Sequence, residues 1–147
     1  MTVAPTFDDT DAVTTEPRVQ IAALCHRKGP KGREVLLVTS SRGRWILPKG
    51  WPMDGKTDAE AALQEAWEEA GVRDGRVTPK PIAKFLGTKR FNSGEEVPAR
   101  VRVYGVKVRD LATTFPERNR RDRRWVSLTK AAKLLADKGF RKALKAV

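Results

Sequence analysis

Cysteine, histidine and tyrosine occur once each in the 147 residues, at Cys25, His26 and Tyr104. One thiol excludes an internal disulfide, and a single Cys with a single His cannot build a Cys/His zinc site within this chain. Cys25 lies in an apolar run and reads as a small buried side chain. No apolar run approaches the roughly 20 residues that a membrane-spanning helix needs, and the N-terminus lacks the basic-then-apolar pattern of a secretory signal. A soluble, cytoplasmic protein with no membrane partner is the expectation. No G-x-G-x-x-G follows a strand and no G-x-x-x-x-G-K-[ST] is present, which removes the common nucleotide-cradling loops.

Acidic residues are also scarce, 18 against 30 Lys plus Arg. Four of them, Asp8, Asp9, Asp11 and Glu16, stand in residues 1–17 with no basic residue among them. All 30 basic and 14 acidic residues therefore lie in residues 18–147, a net +16. Such a field attracts polyanions, so phosphate-rich ligands or nucleic acid are candidate partners. Apolar residues at 39% and charged residues at 33% fit a folded chain, and the length suits one domain. Residues 1–17 mix Thr, Asp, Pro and Ala without periodicity and read as a flexible acidic tail before a single domain over 18–147.

Arg18 to Arg27 and Glu34 to Ser40 are apolar, β-branched runs separated by Lys28-Gly-Pro-Lys-Gly32, and predict a hairpin. Arg44 to Leu47 predicts a short strand. Pro81 to Phe91 and Pro98 to Val108 predict longer strands joined by a loop over 92–96, with a bulge at Gly105. Residues 113–124 form a basic loop. Trp125 to Leu128 predicts a last strand, Thr129 a helix cap with helix through Asp137, and Gly139 a break before a final basic turn. Strands, helix, strands, helix in that order predict an α/β/α sandwich around a mixed sheet.

The most informative stretch runs from Pro48 to Val72. Thr57 or Asp58 can cap a helix, with Glu60 placed to close a capping box on Thr57, and Gly71 stops it in a left-handed cap. Glu65, Glu68 and Glu69 share one helical face opposite Ala59, Leu63, Ala66, Trp67 and Ala70, so the apolar side is expected to dock and the acidic side to look outward. Like charges at i, i+3 and i+4 repel by a few tenths of a kcal/mol per pair. A hard divalent cation, Mg²⁺ or Mn²⁺, would offset that repulsion. A solvated acidic face is the plainer alternative.

These residues resemble the Nudix box. Gly50 is followed after five residues by position 56, then after seven more by Gln64-Glu65-Ala66-Trp67-Glu68-Glu69-Ala70-Gly71-Val72. The family pattern has Glu at the place of Lys56 and Arg at the place of Gln64, and matches at Gly50, Glu65, Glu68, Glu69, Gly71 and Val72. Trp45 to Gly50 is similar to the W-x-x-P-K-G segment that often precedes the box. Together with the Arg-rich run into Trp125, it looks most like the branch of the diphosphoinositol polyphosphate phosphohydrolases.

The resemblance implies a Nudix-type sandwich and a Mg²⁺- or Mn²⁺-dependent hydrolase that cleaves a pyrophosphate linkage in a highly phosphorylated small molecule. That molecule would be a diphosphoinositol polyphosphate, a dinucleoside polyphosphate or a nucleoside diphosphate derivative. Glu65, Glu68, Glu69 and the Gly50 carbonyl are the expected metal ligands, with Glu65 and Glu68 as catalytic carboxylates. Arg44, Lys49, Arg100, Arg102 and Arg118, with the cluster through Arg124, are the expected substrate contacts. Glu117, Asp122, Glu95 and Glu96 are candidate distant bases. Trp45, Trp51 and Trp125 are candidates for a base pocket or for core. The alternative is a catalytically impaired Nudix-fold module that binds RNA or another polyanion, favoured by Lys56, Gln64 and the basic charge. The sequence leaves monomer and homodimer both open.

Overall fold

The computed structural model describes residues 18–91 and 93–147. The expected acidic tail over 1–17, and Asn92 of the expected loop, lie outside the described residues. Strands β1 (Arg18–Gly29) and β2 (Gly32–Thr39) form the expected hairpin, with Gly29 opposite Gly32 across a Pro30-Lys31 loop. The short strands β3 (Trp45–Ile46) and β4 (Lys49–Gly50) return against β2 and β1. Helix α1 (Asp58–Ala70) follows, then β5 (Val72–Val77), β6 (Ala83–Arg90) and β7 (Glu96–Leu111). Strand β8 (Arg123–Ser127) and helices α2 (Leu128–Leu134) and α3 (Lys138–Ala143) complete the order, with a last 3₁₀ turn over Leu144–Ala146.

All strands share one sheet, and its centre is the parallel pairing of β1 with β7, from Arg18 opposite Ala99 to His26 opposite Lys107. The other pairings are antiparallel, so the sheet is mixed. Alternation along β1 sends Ala22 and Leu24 to one face, where Ala131, Leu135 and Phe140 of the C-terminal region cover them. Ile21, Ala23 and Cys25 go to the other face, under Ala61, Ala62, Ala66 and Ala70 of α1. This is the α/β/α layering the element order predicts. Each fully buried Leu or Val contributes on the order of 1.5–3 kcal/mol, which favours placing the apolar β1 and β2 inside the sheet and not at its edge.

Several expectations need correction. Strand β5 is unforeseen because Val72–Val77 has apolar residues only at its ends; it forms on the second half of β7, which β6 leaves open. No bulge occurs at Gly105 on the β1 side: Leu24 pairs with Gly105 in unbroken register. The irregularity lies between β5 and β7, at Val72 to Gly75. Ser127, not Thr129, caps α2, its side chain accepting from the Lys130 N–H. The chain leaves helical geometry at Leu135, and Asp137 caps α3 by accepting from the N–H groups of Gly139 and Phe140, so Gly139 lies inside that helix. Among the described residues no helix is long and apolar enough to cross a membrane.

Candidate functional site

Helix α1 starts where the capping box predicts. Thr57 Oγ1 accepts from the Glu60 N–H at 3.1 Å and Glu60 Oε1 accepts from the Thr57 N–H at 2.8 Å. It ends at Gly71, with φ 71° and ψ 27°. The buried positions between are Ala61, Ala62, Glu65, Ala66, Glu69 and Ala70. This corrects the expected orientation in part: Ala66 and Ala70 dock as expected, but Glu65 and Glu69 also point inward, 7% and 4% exposed, while Leu63 and Trp67 are only partly covered. The cause is side-chain size. Four alanines let the helix axis approach the sheet closely, and the two carboxylates are carried in with them.

The carboxylates meet the backbone of β4, which β1 positions by pairing Ile21 with Gly50 and Ala22 with Lys49. A β-carbon at Gly50 would overlap the Glu65 carboxylate, so any larger residue there must displace that side chain. The Lys49 N–H donates to Glu69 Oε1 at 3.3 Å. Burial, then the hydrogen bond and negative charge of Glu69, push the Glu65 carboxyl far above the usual carboxylate range. Burial likewise raises Glu69, while Glu65, Arg121 and the Lys49 N–H oppose the rise. Cys25 is buried on the same face, its thiol pushed up to about 12 by burial and by Glu69.

Glu68, the third acid, is half-buried and accepts from Gln64 Nε2 at 2.6 Å. Gln64 thus orients Glu68 without a charge. Cationic anchoring comes instead from the run before and within β8. Arg121 donates to Glu117 Oε1 at 2.8 Å and to the Thr39 carbonyl at 2.8 Å, and its guanidinium lies 3.7 Å from Glu69. Arg123 donates to the carbonyls of Ala70 and Ala112 at 2.8 and 2.7 Å and stacks over Phe115 with 4.8 Å to the ring centre. A cation at the C-terminal end of α1 also complements the helix dipole. Lys56 is exposed and lines a separate groove with Glu60, Gln64 and Trp67.

The acid pair opens into a cavity of ≈ 340 Å³ whose walls include Lys49, Gly50, Trp51, Lys89 and Arg121. A second cavity of ≈ 320 Å³, bordered by Arg44, Trp45 and Asp137, shares Ser40, Ser41, Ile46, Lys49 and Lys89 with the first. The structure therefore brings Lys49 to the cleft with Glu65, Glu69 and Gly50, and puts Arg44 on the adjoining cavity only. Arg100 and Arg118 are exposed and line neither cavity, and Arg102 donates to Asp58 Oδ2 at 2.7 Å at the start of α1. Trp51, 38% exposed, stands at the cleft, whereas Trp125 lies under the Arg27 guanidinium at 4.1 Å. Glu96 borders the second cavity; Glu95 and Asp122 border neither.

Sequence reading did not single out Lys89 or Gln20, which also reach the cleft. The signal was present: Lys89 continues the face of Phe85 and Gly87, and Gln20 that of Ala22 and Leu24, so each puts a polar group at the end of a buried stripe. Among the described residues no three Asp, Glu, His or Cys side chains form a ready-made metal cage. Two buried carboxylates facing Lys49, Lys89 and Arg121 nonetheless fit a divalent cation such as Mg²⁺, which commonly takes one or two carboxylates and completes its shell with water and phosphate.

The NUDIX domain model matches residues 17–147. Over 106 residues the chain is 34% identical to Nudix hydrolase 16, mitochondrial, of Arabidopsis thaliana, covering 67% of this chain and 56% of that protein. It is 33% identical over 118 residues to diphosphoinositol polyphosphate phosphohydrolase 3-alpha of Homo sapiens, covering 78% of this chain and 66% of that one. The alignment thus spans between half and two thirds of these relatives. The fold is similar to that of a C. elegans Ap4A hydrolase, with TM-score 0.68 and 18% identity over 89% of this chain and 96% of that one. It is also similar to the NUDIX domain of Shewanella oneidensis NrtR, solved with ADP ribose, with TM-score 0.69 and 16% identity over 95% and 90%. With the box spacing, the buried acid pair and the family model in agreement, the chain belongs to the Nudix hydrolase family.

Proposed function

We propose that this protein is a Mg²⁺- or Mn²⁺-dependent pyrophosphohydrolase acting on a highly phosphorylated small molecule. The observation that carries the reading is the burial of Glu65 and Glu69 against the Gly50 backbone, in a cleft whose other wall is Lys49, Lys89 and Arg121. Acidic oxygen donors on one side and cations on the other suit a divalent cation together with a phosphoanhydride of high negative charge.

Glu65, Glu69 and the Gly50 carbonyl would hold the ion, with Glu68 as a further ligand or base. The bound ion supplies neutralisation of phosphate oxygens and acidification of a bound water. Arg121 holds Glu69 and Glu117 in fixed positions, and Glu117 is a second candidate to take the water's proton. Lys49 and Lys89 stabilise charge on the transferred and leaving phosphates. Phosphorus–oxygen cleavage with water as nucleophile leaves two phosphate-bearing products.

The test is release of phosphate or pyrophosphate from diphosphoinositol phosphates, dinucleoside polyphosphates, nucleoside triphosphates and capped RNA with Mg²⁺ or Mn²⁺. Turnover of one class supports the hydrolase. No turnover, with tight and salt-sensitive RNA binding, would establish the polyanion-binding module instead.

A further inference from the structure

The second cavity is not needed to hold the acid pair or a metal, yet it is continuous with that site through Lys49 and Lys89. Its lining combines Arg42, Arg44, Lys49 and Lys89 with hydroxyls from Ser40, Ser41 and Thr88. Among the described residues, none of these four cations forms an ion pair with a carboxylate within 4.0 Å. Of the two acids on the wall, Asp137 is engaged in capping α3, and Glu96 has a partner of its own. Unpaired cations interleaved with hydroxyl donors, on the rim of a partly enclosed space, recognise phosphate oxygens better than a neutral ring.

We infer that this chamber, with Arg44 and Lys89 as its principal cations, binds a phosphate monoester that the substrate carries away from its scissile pyrophosphate link. The inference rests on the proposed hydrolase reading and deepens it: the favoured substrates bear phosphate on both sides of the cleft, and those whose far end is uncharged bind less well. Lys49 and Lys89 border both chambers, so one substrate spans them with these two cations between its phosphates.

The test reads binding apart from turnover. Inositol hexakisphosphate, which has phosphate monoesters and no pyrophosphate link, is titrated calorimetrically into metal-free protein in chelator at low ionic strength. The wild type is expected to bind, while Arg44→Gln/Lys89→Gln weakens binding by about tenfold or more. Arg44→Lys/Lys89→Arg, which keeps both charges, restores most of it. Thermal unfolding checks that each variant is folded. A double variant that binds as tightly as wild type would overturn the inference, as would an equal loss on Arg76→Gln/Lys107→Gln, exposed residues of β5 and β7 that line neither cavity, which would mean general charge attraction. None of these outcomes depends on catalysis, so a failed turnover assay sinks the hydrolase reading and leaves this result to stand or fall by itself.

Discussion

The Gly50 backbone lies against the Glu65 carboxylate with no room for a β-carbon between them. A residue of β4 and a residue of α1, fifteen positions apart, therefore define one face of the cleft by contact. Gly50→Ala must push Glu65 away or lift β4 from β1. We expect the Mg²⁺-dependent rate to fall by about a hundredfold, the scale of an ångström-sized misplacement of a reacting group. Circular dichroism should show the fold retained, and an unchanged rate would mean that Glu65 is not in the reacting site.

Glu69→Gln keeps the shape of the side chain and its hydrogen bond from the Lys49 N–H, but removes the charge a cation needs. On the proposed reading the rate falls by about a hundredfold or more in saturating Mg²⁺. Steady-state phosphate release measures it, and near-wild-type turnover would show that Glu69 holds no metal.

The buried carboxylates also tie stability to pH. Glu65 keeps its proton in the folded, metal-free protein at pH values where the unfolded chain has released it, so the folded state binds more protons there. Stability in chelator should therefore fall as pH rises from about 5 to about 8. Divalent cations bind the ionised carboxylates, so the rise in Tm on adding Mg²⁺ should grow over the same range. Glu65→Gln should flatten the first trend and remove most of the second. Melting curves across pH with and without Mg²⁺ decide it, and a Tm in chelator that rises with pH would contradict the burial argument.

Arg123 donates to two carbonyls that would otherwise lack this partner where α1 ends. Arg123→Gln should cost about 2 kcal/mol in urea unfolding, the scale of losing charge-assisted hydrogen bonds at a partly buried site. Arg123→Lys should fall between, because an ammonium lacks the planar fork that reaches both oxygens. Arg118→Gln, on an exposed side chain, should change stability by no more than about 0.5 kcal/mol.

Features written in local chemistry were legible in the sequence. The Thr57/Glu60 box and the Gly71 cap depend on residues within a few positions of one another, and both form as expected. The β1–β2 hairpin follows from its loop composition. The facing of α1 was misread because an apolar wheel ranks Leu63 and Trp67 above alanine, whereas close packing on the sheet rewards small residues and draws in Glu65 and Glu69. Arg121 reaches the cleft only through tertiary contacts, by way of Thr39 across the fold. β5 could not be read from periodicity, since it depends on what β6 leaves open along β7, and the break expected at Gly139 falls instead at Leu135 to Asp137, where Asp137 caps α3.

The parallel seam between β1 and β7 has a consequence for how the protein comes into being. Parallel pairing of Arg18 with Ala99 cannot form until most of the chain exists, and contacts of that sequence separation slow folding. A nascent chain that ends before β7 already carries Gly50 and the whole acidic helix, but it lacks the partner strand that completes the surface on which they meet. During synthesis the ingredients of the cleft are present long before the cleft is. Its assembly waits on the long strand that contains none of the box residues.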